Sequence, residues 1–425
     1  MAAISEKIVG FASYPVFHCS GNQLCICYSG SMDRLDVLLY AHDGRGLGHV
    51  SRAAAIGLAL RRLAPELKVC LVSGCRHTAE LIGGGELDWL KLPAYRTEVI
   101  DGTARGVTGS SGYSDSQLGQ LRGEQLAFFV GQLHPRVVLV DHSPQGKHRE
   151  LLPALAVSSE QGGTHWLLGV RGVVGEVKQL TEALARDTFA RYYQGLLWYG
   201  DEKVMGAEPR VVLERSFGTV AQPCGYVSRL RELRYLPNGP LSEDTRSGGT
   251  VSIPWLGEHT LFMLEQCAQA LERLGGKRGR VSFFLGEPPP DSLHRRLTTM
   301  AGVTVEPFSA RYADSLPRSS WALVFGGYNS VIDVLAADVA AVVIVRDMRD
   351  GEQRAHLDAL RAYRTTHLIT VPEATADAHR LYQALAQVSR LDPAAAPPLA
   401  LDGAQNSARA ILSHFKAATT SHGSR

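Results

Sequence analysis

Short, wholly apolar runs recur along this sequence: Val37-Leu38-Leu39-Tyr40-Ala41, Val69-Cys70-Leu71-Val72, Val137-Val138-Leu139-Val140, Trp321-Ala322-Leu323-Val324-Phe325 and Ala341 to Val345. None alternates with polar residues, so each strand is expected to be covered on both faces. Stretches with helical spacing of apolar residues lie between them. Strands of this kind, alternating with helices, form parallel sheets between helix layers, because a parallel pair needs a crossover long enough to hold a helix.

The run at Trp321–Phe325 stops at Gly326-Gly327, and a helical pattern follows from Tyr328-Asn329-Ser330. A strand, a glycine turn and a helix start gather free backbone N–H groups and the positive end of a helix dipole at one point. That combination is an anion site. Asp333, four residues after Asn329, shares its helical face.

With 425 residues the chain is long enough for two or three domains. Pro223, Gly225, Pro237, Gly239, Pro240 and Ser247-Gly248-Gly249 mark a linker between two halves, each with its own strand–helix alternation. The expected organisation is α/β: an extension at 1–35, a first Rossmann-like domain at 36–220, a linker at 221–249, a second such domain at 250–403, and a helix and tail at 404–425. That last helix is expected to pack back on the first domain. Residues 93–112, rich in Gly, Thr and Ser, read as a long functional loop.

A net charge of +2 and 20% charged residues indicate no nucleic-acid or membrane-surface partner. No apolar run reaches the ~18 residues of a membrane helix, so no integral membrane segment is expected. The seven cysteines contain no CxxC pair, which suggests neither a zinc site nor a disulfide framework and fits a cytoplasmic location. There is no D-x-D and no compact His/Cys/carboxylate cluster, so no metal is expected. Arginines such as Arg171 and Arg346 would then assist on phosphates. Nothing in the sequence sets the oligomeric state.

A second glycine loop, Gly44-x-Gly46-x-Gly48-His49, sits between the first strand and an Ala/Leu/Arg-rich helix. Its spacing is not that of the G-x-G-x-x-G dinucleotide fingerprint. At a helix N-terminus the dipole disfavours an imidazolium, so His49 is a candidate general base, with Asp43 beside it as the other.

The loop resembles the G-G-T-G-G-H of the glycosyltransferases that add N-acetylglucosamine to lipid-linked muramyl-pentapeptide. It is more similar to a group of bacterial predicted glycosyltransferases whose first motif reads H-D-x-x-G-L-G-H. Val140-Asp141-His142-Ser143-Pro144-Gln145-Gly146 resembles that group's V-D-x-x-P-x-G. Cys224-Gly225-Tyr226-Val227 resembles its G-Y-V, and Gly326-Gly327-Tyr328-Asn329-Ser330 its G-G-Y-N-T. The loop Pro254-Trp255-Leu256-Gly257-Glu258 departs from the glycine-rich family pattern.

The resemblance implies a GT-B enzyme, with acceptor mainly on the first domain and nucleotide sugar on the second. It places Arg45, Gly46, Gly48 and His142 in the acceptor or phosphate loops. Gly326, Gly327, Tyr328, Asn329 and Ser330 would meet the donor diphosphate, and Asp333 the ribose. Gln353, with Glu352 and His356, would meet sugar hydroxyls; Phe308 would contact the nucleobase and Arg346 would help bind the donor.

The expected activity is metal-independent, inverting transfer of a sugar, N-acetylglucosamine or a related hexose, from a UDP- or other NDP-sugar. The acceptor is expected to be a small, soluble hydroxyl compound, as in antibiotic biosynthesis, with no cofactor beyond the donor substrate. A UDP-sugar epimerase of the same fold and a non-catalytic nucleotide-sugar-binding partner are the alternatives.

Overall fold

The computed structural model describes residues 16–18, 24–26, 33–42, 47–100, 103–107, 109, 111–172, 182–237, 239–240, 246–254, 256–346, 351–393 and 397–420. The candidate residues Asp43, Arg45 and Gly46 lie outside the described residues. Residues up to Arg34 form a unit of their own, in which β1 (Val16–His18) and β2 (Leu24–Ile26) pair antiparallel.

From Leu35 onward two parallel sheets are built. The first half contributes β3 (Val37–Ala41), β4 (Val69–Ser73), β5 (Asp88–Lys91), β6 (Arg96–Ile100), β7 (Thr103–Val107), β8 (Val137–Asp141), β9 (His165–Arg171), β10 (Tyr193–Tyr199) and β11 (Ala221–Pro223). Seven of these form one sheet in the order β11-β10-β9-β8-β3-β4-β5. The second half contributes β12 (Gly249–Ile253), β13 (Val281–Leu285), β14 (Val303–Pro307), β15 (Trp321–Phe325), β16 (Ala340–Val345) and β17 (Leu368–Pro372). Their order is β14-β13-β12-β15-β16-β17. The apolar runs form the middles of both sheets: every residue of β3, β8, β15 and β16 is buried.

Residues 93–112 are not the single loop expected. β6 and β7 pair antiparallel, from Arg96 opposite Val107 to Ile100 opposite Thr103. Asp101-Gly102 between β-branched residues is a strong hairpin sequence, and it outweighs the loop-like composition around it. The helix Leu152–Gln161 starts only after a kinked turn. His148 and Arg149 hold left-handed backbone, with φ of 52° and 64°, which no helix turn accommodates.

The strand order locates the binding region. In each sheet the first strand lies beside the fourth of the main series, and the chain leaves these two neighbours in opposite directions. A crevice therefore opens at their carboxyl ends. In the first sheet the neighbours are β3 and β8; in the second they are β12 and β15.

Two crossings join the halves. One runs through Tyr226 and Val227 and the other through Ala400 and Asp402. Tyr226 N donates to Ala400 O at 2.7 Å, Gly403 N donates to Tyr226 O at 3.0 Å, and Val227 bridges Asp402 antiparallel. The last helix, Gly403–Thr420, then packs on the helix Gly48–Leu63 of the first half, sharing its core through Ala404, Ala408 and Ile411. No helix among the described residues is long and apolar enough to cross a membrane.

Candidate active site

β3 is followed by the helix Gly48–Leu63, which carries His49 and Arg52 on one face, three residues apart. The neighbouring strand, β8, ends on Asp141. The switch point thus brings together side chains from distant parts of the chain. His49 Nδ1 lies 2.5 Å from Asp141 Oδ2, and Arg52 grips the same carboxylate with Nε at 3.0 Å and Nη2 at 2.8 Å. Arg52 Nη2 is also 3.1 Å from His49 Nδ1. A carboxylate can only accept, and a bare Nδ1 would be repelled by it at this distance. Nδ1 therefore carries the proton and gives it to Asp141, leaving Nε2 as the basic atom.

Asp141 and Arg52 are buried, whereas the His49 side chain keeps 16% of its surface. Burial, reinforced by neighbouring His42, pushes His49 down to about 3 against the pull of Asp141. Burial would raise the Asp141 carboxyl, but Arg52 and His49 hold it far below the usual carboxylate range. The imidazole is neutral and the carboxylate charged at neutral pH, the states a His–Asp base requires.

The segment after Asp141 is held by a second buried ion pair. Arg122 donates to both oxygens of Glu150, at 2.6 and 2.9 Å, and Tyr95 donates at 2.7 Å; Tyr40 completes the set. With every partner satisfied, this network fixes the first-half side of the crevice.

Across the crevice, β15 ends at Phe325 and the helix Tyr328–Ala336 begins after Gly327. Neither this helix nor Gly48–Leu63 has a side-chain N-cap, so amide donors at both starts remain for a ligand. The two starts touch. A Cβ placed on Gly48 would lie 2.5 Å from Asn329 Nδ2 and 3.6 Å from Arg52 Nη1. Tyr328 ties the halves further: its hydroxyl donates to Tyr199 O at 3.0 Å and accepts from Val227 N at 3.1 Å.

A cavity of about 250 Å³ lies between these ends. Gly48, His49, Ser51 and Arg52 line it from the first half. Ser252, Phe308, Gly327, Tyr328, Asn329, Ser330, Asp333 and Gln353 line it from the second. Arg229 enters from the connecting segment. Burial raises the Asp333 carboxyl to about 6, opposed by the nearby Arg229. Gln353 accepts from Arg346 N at 3.1 Å, and Phe308 meets the ring of His77 edge-on at 5.3 Å.

Other expected residues occupy different places. Glu352 is paired with Arg171 across the crevice at 2.5 Å. Arg346 donates to Glu373 at 3.0 Å and to Thr260 at 2.9 Å, and covers the Phe325 ring. Gly326 lies behind the wall, its N–H bound to Ile344 O at 2.8 Å. His142 has a φ of 77° and sits 5.5 Å from the His49 ring. His356 is buried against Tyr226 and Tyr328.

Sequence reasoning assigned no role to Arg52 or Arg229, and named Asp141 only as part of a motif. Asp141 had a signal, an acid closing an apolar strand. Arg52 had one in its spacing from His49. Arg229 had none.

Two Rossmann-like domains that meet at the carboxyl ends of their strands define the GT-B fold. The sequence matches no family model and no curated protein. Solved structures share the fold. A putative UDP-N-acetylglucosamine 2-epimerase from Listeria monocytogenes is similar at TM-score 0.58 and 12% identity, over 90% of this chain and 97% of that one. UGT89C1 of Arabidopsis thaliana, complexed with UDP-L-rhamnose, is similar at TM-score 0.58 and 13% identity, over 90% and 99%. The glycotransferase of kitacinnamycin is similar at TM-score 0.53 and 14% identity, over 92% and 98%. At such identities the likeness is one of fold.

Proposed function

We propose that this protein is a glycosyltransferase that moves a sugar from a nucleoside diphosphate sugar, a UDP-sugar by preference, to a hydroxyl of a small acceptor. The observation that carries the reading is the oriented His49–Asp141 pair set in one cavity with Gly327 and Asn329. His49 Nε2 takes the proton of the acceptor hydroxyl while Asp141 stabilises the imidazolium that forms. The acceptor oxygen bonds to the anomeric carbon as the bond from that carbon to the diphosphate oxygen breaks. The leaving diphosphate meets the amide donors of two helix starts, the Asn329 amide and Arg52. These groups answer its charge without a divalent ion. Attack opposite the leaving group inverts the anomeric centre.

Asp333 stands one helical turn beyond Asn329, about 6 Å along the axis, and takes the ribose. Phe308 takes the base, and Gln353 the sugar hydroxyls. N-acetylglucosamine or a related hexose and a soluble acceptor of specialised metabolism complete the proposal. Incubation with UDP-sugars and candidate acceptors tests it. Acceptor-dependent release of UDP is the expected result.

The GT-B likenesses include a putative 2-epimerase, and His42, with its ring 3.8 Å from that of His49, offers a second proton carrier. Interconversion of UDP-sugars without any acceptor would select that activity instead.

A further inference from the structure

A second cavity, of about 520 Å³, lies away from the crevice. It sits at the amino ends of two strands of the second sheet, where Asp338 shortly precedes β16 and His367 immediately precedes β17. The proline-rich segment that leads into the crossing between the halves lines it too, through Pro397, Leu399 and Leu401. His367 is 3% exposed and lines this cavity, yet among the described residues neither of its ring nitrogens has a hydrogen-bond partner. Asp338 and Asp392 line the cavity as exposed residues. Both reach the ring electrostatically: burial lowers His367, and the two carboxylates oppose that.

Burial keeps the imidazole neutral, and a neutral ring offers one N–H and one bare nitrogen. Leaving both unmatched in the interior is costly. An occupant that matches both must bring an acceptor and a donor, and hydroxyls supply either. Arg246 lines the cavity as well, but its terminal nitrogens serve Ala337 O at 3.0 Å and Asp338 O. The charge left to meet a ligand is that of two carboxylates. They repel a phosphate or a carboxylate and are answered by an ammonium. Leu335, Leu399 and Pro397 suit the carbon skeleton that joins these groups.

We infer that this cavity is a second small-molecule site, which takes a hydroxylated amine of the amino-sugar class. Its hydroxyls meet the two ring nitrogens of His367, and its ammonium meets Asp338 and Asp392. The site stands independently of the nucleotide-sugar reading above, since it shares no residue with the crevice cavity. Leu399 and Leu401 flank Ala400, whose carbonyl accepts from Tyr226 N. An occupant therefore touches the segment that joins the two halves.

Calorimetric titration of the full chain at neutral pH with glucosamine, glucose and putrescine tests this. Glucosamine should bind, and the other two should bind at least about tenfold more weakly, glucose for want of the ammonium and putrescine for want of the hydroxyls. His367→Leu should weaken glucosamine at least about tenfold without lowering the melting temperature, because it removes two unmatched polar atoms. Asp338→Asn serves if His367→Leu does not fold. Residue 338 has a φ of 51°, which asparagine tolerates, and the change should weaken glucosamine at least about threefold. No binding of glucosamine at about 10 mM overturns the inference. So does glucose or putrescine binding as tightly as glucosamine, or a glucosamine affinity that survives both substitutions.

Discussion

Asn329 rests its side-chain amide against the Cα of Gly48, so the helix start of the second half touches the helix start of the first immediately beside His49. The contact exists because residue 48 has no Cβ. Two uncapped helix ends and the Arg52 guanidinium therefore converge on one small volume. Like ends of two dipoles brought together gain nothing from each other; an anion bound between them would supply the compensation.

A methyl group at Gly48 disturbs that junction directly. Gly48→Ala places a carbon 2.5 Å from Asn329 Nδ2, so the amide must turn away. We expect about a tenfold loss of UDP affinity by calorimetry with a melting temperature within a few degrees of wild type, because Gly48 holds ordinary helical backbone.

The base pair can be separated from the donor site. His49→Ala should lower acceptor-dependent UDP release by about 10²–10⁴-fold and leave UDP affinity within about threefold. Asp141→Asn should lower turnover similarly. It should also destabilise the fold, because Arg52 then lies buried opposite a neutral amide.

Tyr328 joins the halves with one hydroxyl. Tyr328→Phe leaves Tyr199 O and Val227 N without that partner, which should cost about 1–3 kcal/mol. The shift of a urea unfolding midpoint, at unchanged slope, measures it.

Asp333 couples binding to pH. Its carboxyl is raised from 3.8 to about 6, so the native state holds a proton that the unfolded chain releases between these values. Stability therefore falls as pH rises across that interval, and the full penalty, up to about 3 kcal/mol, applies above about pH 6. Asp333→Asn should melt higher than wild type at pH 7.5, with the advantage fading towards pH 4, while binding UDP more weakly. Because His49 lies at about 3, the acid limb of kcat/KM for the donor should fall near pH 6 and follow Asp333.

The strands of both sheets were legible because burial on both faces leaves an unbroken apolar run, as in Val137–Val140 and Trp321–Phe325. The glycine turns were legible because few other residues permit a helix to start so close to a ligand. The β6–β7 hairpin had one local signal, Asp101-Gly102, but it stood in a Gly- and Thr-rich stretch that was read as loop. Asp141 stood in view as a strand end, but its partner is 92 residues away, and only the strand order makes them neighbours. Arg229 belongs to a short helix inside a stretch whose prolines and glycines read as linker. Nothing local distinguishes an arginine that enters the cavity from one that faces water.

The side-by-side crossings at Tyr226–Val227 and Ala400–Gly403 have a mechanical consequence. Two separate tethers would pin the halves at two points and hold the crevice at a fixed width. Two segments bonded to each other form a single ligature, and rotation about it displaces the bonded residues least and the crevice mouth most. A cavity of about 250 Å³ is small beside the roughly 300–1,000 Å³ of ordinary ligand sites. Widening the crevice for a larger ligand would then be a pivot about that ligature, and it would part the Gly48–Asn329 contact.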